Sequence, residues 1–263
     1  MIRKVVIFAL TFSACGVFGQ TPSSRPRFEA FEVATIKPVP TEAKAVRYIT
    51  MQGANRFIEK DYTLKLLIAA AYNLNPKAIS GGPEWMDSEH YDIAALTPGD
   101  IRPTRDEQMT MLRKLLTDRF QLAFHREPRE FSIYALEVAK GGPKLREAAK
   151  PNDVPALINV VYPQSIKLPA RNVTMGDFAS MLQRAVLDRP VVDETGLTGK
   201  YDFDLEWAPD ESEFNGAIAP ASADANAAPL FTAIQQQLGL KLVATRGVVD
   251  ALVVDKAQRP SAN

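Results

Sequence analysis

Only two histidines occur among 263 residues, His90 and His125, and histidine is the side chain best suited to moving a proton near neutral pH. His125 stands in Phe124-His125-Arg126-Glu127. As a general base it needs a carboxylate orienting one ring nitrogen and a substrate at the other. His90 stands in Ser88-Glu89-His90-Tyr91-Asp92; with His125 and one acid it has the donor types of a two-His-one-carboxylate metal site. The two lie 35 positions apart, which matches no metal-binding spacing. A three-His site is impossible in one copy, and a single cysteine, Cys15, excludes a disulfide framework and a Cys-based zinc site. Both histidines therefore read first as structural or solvent-facing.

Asp202, Asp204 and Glu206 alternate along one stretch, so as a strand they share a face. Such a row has the chemistry of a calcium site or of a carboxylate pair for glycoside hydrolysis. The residues between them, Tyr201, Phe203, Leu205 and Trp207, are all apolar, which is the pattern of a half-exposed strand with its polar side outward. Asp193-Glu194-Thr195-Gly196 reads as turn chemistry in the same way. Trp85 and Trp207 have rings that stack on sugars, although a tryptophan after a turn more often anchors a core. The nucleophile motifs Gly-x-Ser-x-Gly and Ser-x-x-Lys and the zinc motif His-Glu-x-x-His are missing. Gly81-Gly82-Pro83 and Gly141-Gly142-Pro143 lack the Lys and helix start of a phosphate loop. The catalytic candidates that remain are His125, Asp202 and Asp204, and no cofactor and no metal is expected.

The elements that position these residues follow from periodicity. Thr63 caps a helix through Tyr72, a Gly/Pro turn follows at 81–83, and Tyr91 to Leu96 reads as a strand. Arg105 to Arg119 places Met109, Leu112, Leu115 and Leu116 on one helical face. Phe120 to His125 and Ile133 to Ala139 read as two closing strands. The second half repeats that order. Thr174 caps a helix with Met175, Phe178, Met181 and Leu182, and Tyr201 to Trp207 is a strand. Leu230 to Leu238 is a helix stopped by Gly239, and Lys241 to Ala244 and Ala251 to Val254 are strands. Thr63 to Tyr91 spans 28 positions and Thr174 to Tyr201 spans 27, so the register holds. The lead-in strands are Phe31 to Lys37 and Tyr48 to Met51 in one half, Ala156 to Val161 and Ser165 to Leu168 in the other.

This predicts an α+β fold of two tandem duplicated units, 28–145 and 156–263, each a small mixed sheet with two helices packed on it. The Ala/Pro/Ser/Asn stretch 215–229 reads as a mobile loop of the second unit.

Residues 1–19 read as a signal peptide: Arg3-Lys4, an apolar run from Val5 to Phe12 too short to span a bilayer, and Val17-Phe18-Gly19 for cleavage. Phe12 sits awkwardly three residues before Cys15 for a lipobox, so soluble periplasmic or extracellular export is favoured over a lipid anchor at Cys15. Composition is that of a globular chain: 46% hydrophobic, 24% charged, formal net charge zero. That balance excludes wholesale disorder and argues against a nucleic-acid partner.

Phe31-Glu32-Val33-Ala34-Thr35-Ile36-Lys37-Pro38 resembles the opening motif of an uncharacterised exported family, abundant in soil acidobacteria, that carries a domain of unknown function. The resemblance continues through Asp118 to Leu122, His125-Arg126-Glu127, Tyr134 to Leu145, Arg189 to Phe203, Gln237 to Leu242 and Arg259 to Asn263, nearly the whole mature chain. It implies no established activity. The half-unit, a helix, a strand pair and then a helix that in the second half ends in Leu238-Gly239-Leu240 before a strand hairpin, also looks like the short N-terminal docking domain of secretins and TonB-dependent receptors. That likeness implies an interaction role. The sequence thus points to a non-enzymatic exported module with no membrane span that binds another envelope or secreted protein. The alternative is an extracellular hydrolase or a carbohydrate-binding protein.

Overall fold

The computed structural model describes residues 25–40, 47–150, 153, 155–162, 164–216, 218–222 and 224–260. The expected signal peptide with Cys15 lies outside them.

The first half runs β1 (Val33–Val39), β2 (Tyr48–Gln52), β3 (Arg56–Thr63), α1 (Leu64–Tyr72), β4 (Ile79–Gly81), β5 (His90–Leu96), α2 (Arg105–Arg119) and β6 (Ala123–Val138). The second runs β7 (Arg146–Glu147), β8 (Ala156–Leu157), β9 (Val160–Val161), β10 (Ile166–Val173), α3 (Met175–Met181), β11 (Val191–Asp193), β12 (Tyr201–Trp207), α4 (Leu230–Ala233) and β13 (Leu240–Lys256). A π turn extends α3 over Leu182–Val186, and another extends α4 over Ile234–Leu238.

Helix starts follow from local chemistry. The Thr63 hydroxyl accepts the Leu66 amide, and Thr104 with Glu107, then Thr174 with Asp177, form capping boxes. Gly239 ends the second π turn at φ 65°, where a Cβ would strike the Gly142 carbonyl oxygen; only glycine fits there.

Three sheets result. One has the order β1-β5-β3-β2 and another β7-β12-β10-β8, with β9 also on β10; both are antiparallel. The central sheet, β11-β6-β13-β4, pairs β6 with β13 antiparallel from Leu240↔Val138 to Lys256↔Ala123. Its outer strands are parallel to their neighbours: β11 on β6 and β4 on β13. The class is α+β, as the patterning predicts.

The strands expected as two short pairs are instead continuous, 16 residues in β6 and 17 in β13. The charged run Arg126 to Glu130 with Pro128 mimics a turn. In the structure its charges pair across the ladder, Arg126 with Asp250 at 2.9 Å and Glu130 with Arg246 at 2.8 Å. Pro128 is tolerated because β11 covers β6 only from Tyr134 to Leu136, leaving that edge free among the described strands.

Each long strand serves both cores. Leu252 and Val254 of β13 pack with Phe57, Leu67, Ile68, Leu112 and Leu116 of the first half. Leu136 of β6 packs with Phe178, Leu182, Trp207 and Leu238 of the second. Each half therefore has an antiparallel sheet of its own, and the central sheet is common to both. Asn75 locks them further: its side-chain amide, 2% exposed, donates to the carbonyls of Gln183 at 2.7 Å and Leu187 at 3.2 Å. Gln183 answers by donating to the Asn73 carbonyl at 2.6 Å.

Candidate functional site

Where α1 faces the π turn after α3, the halves leave a cavity of about 540 Å³, a volume typical of small-ligand sites. The first half contributes Arg47, Asp61, Tyr62 and Arg105. The second contributes Asn159, Arg184, Ala185 and Phe214. Ile49, Leu66, Ala69 and Ala70 make the wall beneath them apolar.

Backbone features aim the polar groups. Arg105 is the first residue of α2, just past the Thr104 cap. The neighbouring acid, Glu107, is occupied by the cap and by Arg25 at 2.7 Å, so it does not serve Arg105. Arg184 stands on the π turn, whose extra residue per turn widens the helix; such turns are frequent at functional sites. Tyr62 follows the irregularity of β3, where Asp61 takes φ 61° and the register with β5 shifts. Asn159 lies between β8 and β9.

Three polar atoms here have no accessible surface and no hydrogen-bond partner among the described residues: Arg105 Nη2, Arg184 Nε and Asn159 Oδ1. Asn159 Nδ2 reaches only the Met181 sulfur, at 3.6 Å. Neither Arg105 nor Arg184 forms an ion pair among the described residues, whereas exposed cations such as Arg126 and Arg171 do. Burial first, and then the Arg105 charge, push the Arg184 guanidinium down to about 9, which leaves it cationic at neutral pH. Burial also lowers Arg105. Burial raises the Tyr62 phenol, and the charges of Arg47, Arg184 and Arg105 oppose that rise. Arg47 lies over the Tyr62 ring, 5.7 Å from its centroid. Asp61 is the acid on the lining, and its Oδ1 lies 2.8 Å from His90 Nδ1. The site thus holds two donors without an acceptor and one acceptor without a donor. Leaving such groups unsatisfied is costly.

None of the residues singled out by type and spacing lies on this lining. His125 is half exposed on β6, with Asp255 Oδ1 2.8 Å from Nδ1 and Glu127 3.9 Å from Nε2. An orienting carboxylate is therefore present, on an open strand face. His90 on β5 pairs with Asp61, and among the described residues no three potential metal ligands cluster. Asp202 supports backbone, accepting the N–H groups of Asn172 at 2.8 Å and Ala149 at 3.1 Å. Asp204 pairs with Arg171 at 2.8 Å, and Glu206 with Lys167 at 3.4 Å and Ser165 at 2.8 Å. Phe203, Leu205 and Trp207 are buried beneath them. Trp207 donates to Glu213 at 2.7 Å and stacks on Phe214, so its ring is closed to a sugar. Trp85 is partly exposed with Arg259 over its ring. In the stretch expected to be a mobile loop, Ser222 hydrogen-bonds Gln164 and Ile218 packs on the second core and the cavity.

A second, shallower cavity of about 430 Å³ lies beside β10, with Tyr162, Lys167, Asp204, Glu206 and Gln237 on its lining. Its charges are already paired with one another or with Arg171. Sequence reasoning missed Arg105 and Arg184 because an arginine in an amphipathic helix is ordinarily solvated. The one signal was position: Arg184 falls within Met181-Leu182-Gln183-Arg184-Ala185-Val186, a largely apolar turn.

The chain belongs to the family described as protein of unknown function DUF3738, whose model matches residues 65–257. No curated protein and no solved structure matches the chain.

Proposed function

We propose that this DUF3738 member is an exported, non-enzymatic binding protein of the cell envelope or secreted fraction. The cleft between its halves is the place where it engages another envelope or secreted protein. The observation that carries this reading is the pair of guanidinium groups, Arg105 from one half and Arg184 from the other, that line the same cavity, each with one buried nitrogen lacking a partner among the described residues. Two cations held on a cavity lining without an ion pair among the described residues fit the recognition of an anionic group.

Export is supported by the basic start, the short apolar run and the small residues at 17 and 19. Internal duplication is supported by equivalent details in the two halves. Thr63 and Thr174 both cap helices, and Asp61 and Asn172, each two residues earlier, both take positive φ. The repeated order of helix, strand and helix supports the likeness to secretin-type docking domains, and the Phe31 to Pro38 motif supports membership in the acidobacterial exported group.

The test is affinity capture from the host's envelope extract with mature 20–263 as bait, beside Ala185→Phe, which fills the cleft. The expected result is a reproducible partner held by the wild type and lost with Ala185→Phe. Equal retention by both, or turnover of an extracellular polymer abolished by His125→Ala or Asp202→Ala, overturns the reading.

A further inference from the structure

The cleft asks for a particular ligand chemistry. The Arg105 and Arg184 guanidinium groups line it without an ion pair among the described residues and suit an oxyanion, and the Asn159 side-chain amide beside them suits an N–H or O–H. A carboxylate next to an amide N–H supplies both at once. That combination occurs in an N-acylated amino acid and at the C-terminal residue of every polypeptide. Arginine forks suit carboxylates because two parallel N–H groups meet two oxygens. The wall formed by Leu66, Ala69 and Phe214 is apolar and fits an apolar last side chain.

The surroundings favour a polypeptide as the source. Asn159 lies between β8 and β9, which pair with β10 on one side and have no strand beyond them among the described residues. Next to it stand exposed apolar side chains: Ile158 at 64%, Val161 at 54% and Tyr162 at 47%. An open strand edge with exposed apolar residues is a template for a further extended segment. A chain leaving the cleft at Asn159 meets that edge directly.

We propose that the cleft binds the C-terminal residue of a partner polypeptide, with its carboxylate on Arg105 and Arg184 and its last amide N–H on Asn159. The residues before it lie along the Ile158–Tyr162 edge. This inference rests on the binding reading above and names the chemistry of its partner.

Titration calorimetry on mature 20–263 tests it with three probes: a pentapeptide ending in phenylalanine with a free carboxylate, the same peptide as its C-terminal amide, and acetyl-phenylalanine. The free-acid peptide is expected to bind at least about tenfold more tightly than the amide. It is also expected to bind several-fold more tightly than acetyl-phenylalanine, with that last gap closed by Ile158→Asp. Arg184→Met is expected to weaken the acid about tenfold or more while leaving melting temperature equal or higher. Asn159→Asp, which keeps the shape and adds a repelling charge, gives an independent loss. An amide that binds as tightly as the acid, an acid affinity unchanged in Arg184→Met, or no saturable binding of either acid overturns the site. Equal affinity for acetyl-phenylalanine and the pentapeptide overturns the polypeptide source in favour of a free N-acyl amino acid. If Arg184→Met still captures the envelope partner that Ala185→Phe loses, the binding reading stands and this one falls.

Discussion

The Asp202 carboxylate accepts the backbone N–H of Asn172 at 2.8 Å, at a residue whose φ is 56°. Asp92 holds the N–H of Asp61, φ 61°, at 3.1 Å in the other half. Each acid thus fixes an irregular strand end that delivers the chain into a threonine-capped helix. Hydrogen bonds from the Asn172 and Ala149 backbone keep the Asp202 carboxyl below its usual 3.8. A depressed acid contributes stability above its unfolded pKa and loses it as pH falls through the folded value. Asp202→Asn is therefore expected to lower the melting temperature at pH 7 and to lose less on acidification below pH 3.8 than the wild type. Paired thermal melts across that range check both effects.

Removing a cation that has no ion pair among the described residues should help the unliganded fold. Arg184→Met replaces a desolvated charge with an apolar side chain of similar length, a change worth about 1–3 kcal/mol. For a chain of this size that is a rise of several degrees in melting temperature. Differential scanning calorimetry reads it; a fall of similar size contradicts the view that Arg184 lacks a partner in the free protein.

Glu213 gives a pH signature of opposite sign. Burial pushes its carboxyl up to about 7, with the Trp207 N–H opposing. A raised acid favours the folded state below the unfolded value near 4.5, and that contribution is lost as pH rises to 7. Glu213→Gln still accepts the Trp207 N–H and carries no charge. Its stability relative to wild type should increase from pH 4.5 to 7 and stay constant above. A Trp207 fluorescence titration near pH 7, absent in the variant, is the second readout.

Asn75 measures how firmly the halves are joined. Asn75→Ala leaves the buried carbonyls of Gln183 and Leu187 without this donor, a loss of about 1–3 kcal/mol. Because β6 and β13 enter both cores, the wild type should unfold in one urea transition. The variant should shift that midpoint downward, and two separate transitions in the wild type would contradict the shared central sheet.

The legible parts of the fold were those with local signals. Thr63, Thr174 and Gly239 mark element ends by chemistry that acts within a few residues. Arg105 to Arg119 carries its own amphipathic period and is the helix observed. Strand continuity was illegible because the run Arg126 to Glu130 looks the same in a turn as in a charge-paired ladder, and its partners Asp250 and Arg246 lie more than a hundred residues away. β4 and β11 were missed because three residues paired to the opposite half leave no periodic trace. The cleft was hidden for the same reason. Arg105 and Arg184 become a pair only when α2 and the turn after α3 are brought together. His125, Asp202 and Glu206 drew notice by residue type, yet cross-strand or backbone partners already occupy them.

The most direct measurement is a crystal structure of residues 20–263 grown with a peptide that ends in a free carboxylate on phenylalanine. That carboxylate is expected within hydrogen-bond distance of the Arg105 and Arg184 guanidinium groups, with the last peptide N–H on the Asn159 side chain. A peptide seated elsewhere, or arginines found paired to the protein's own acids with the cleft closed, contradicts it.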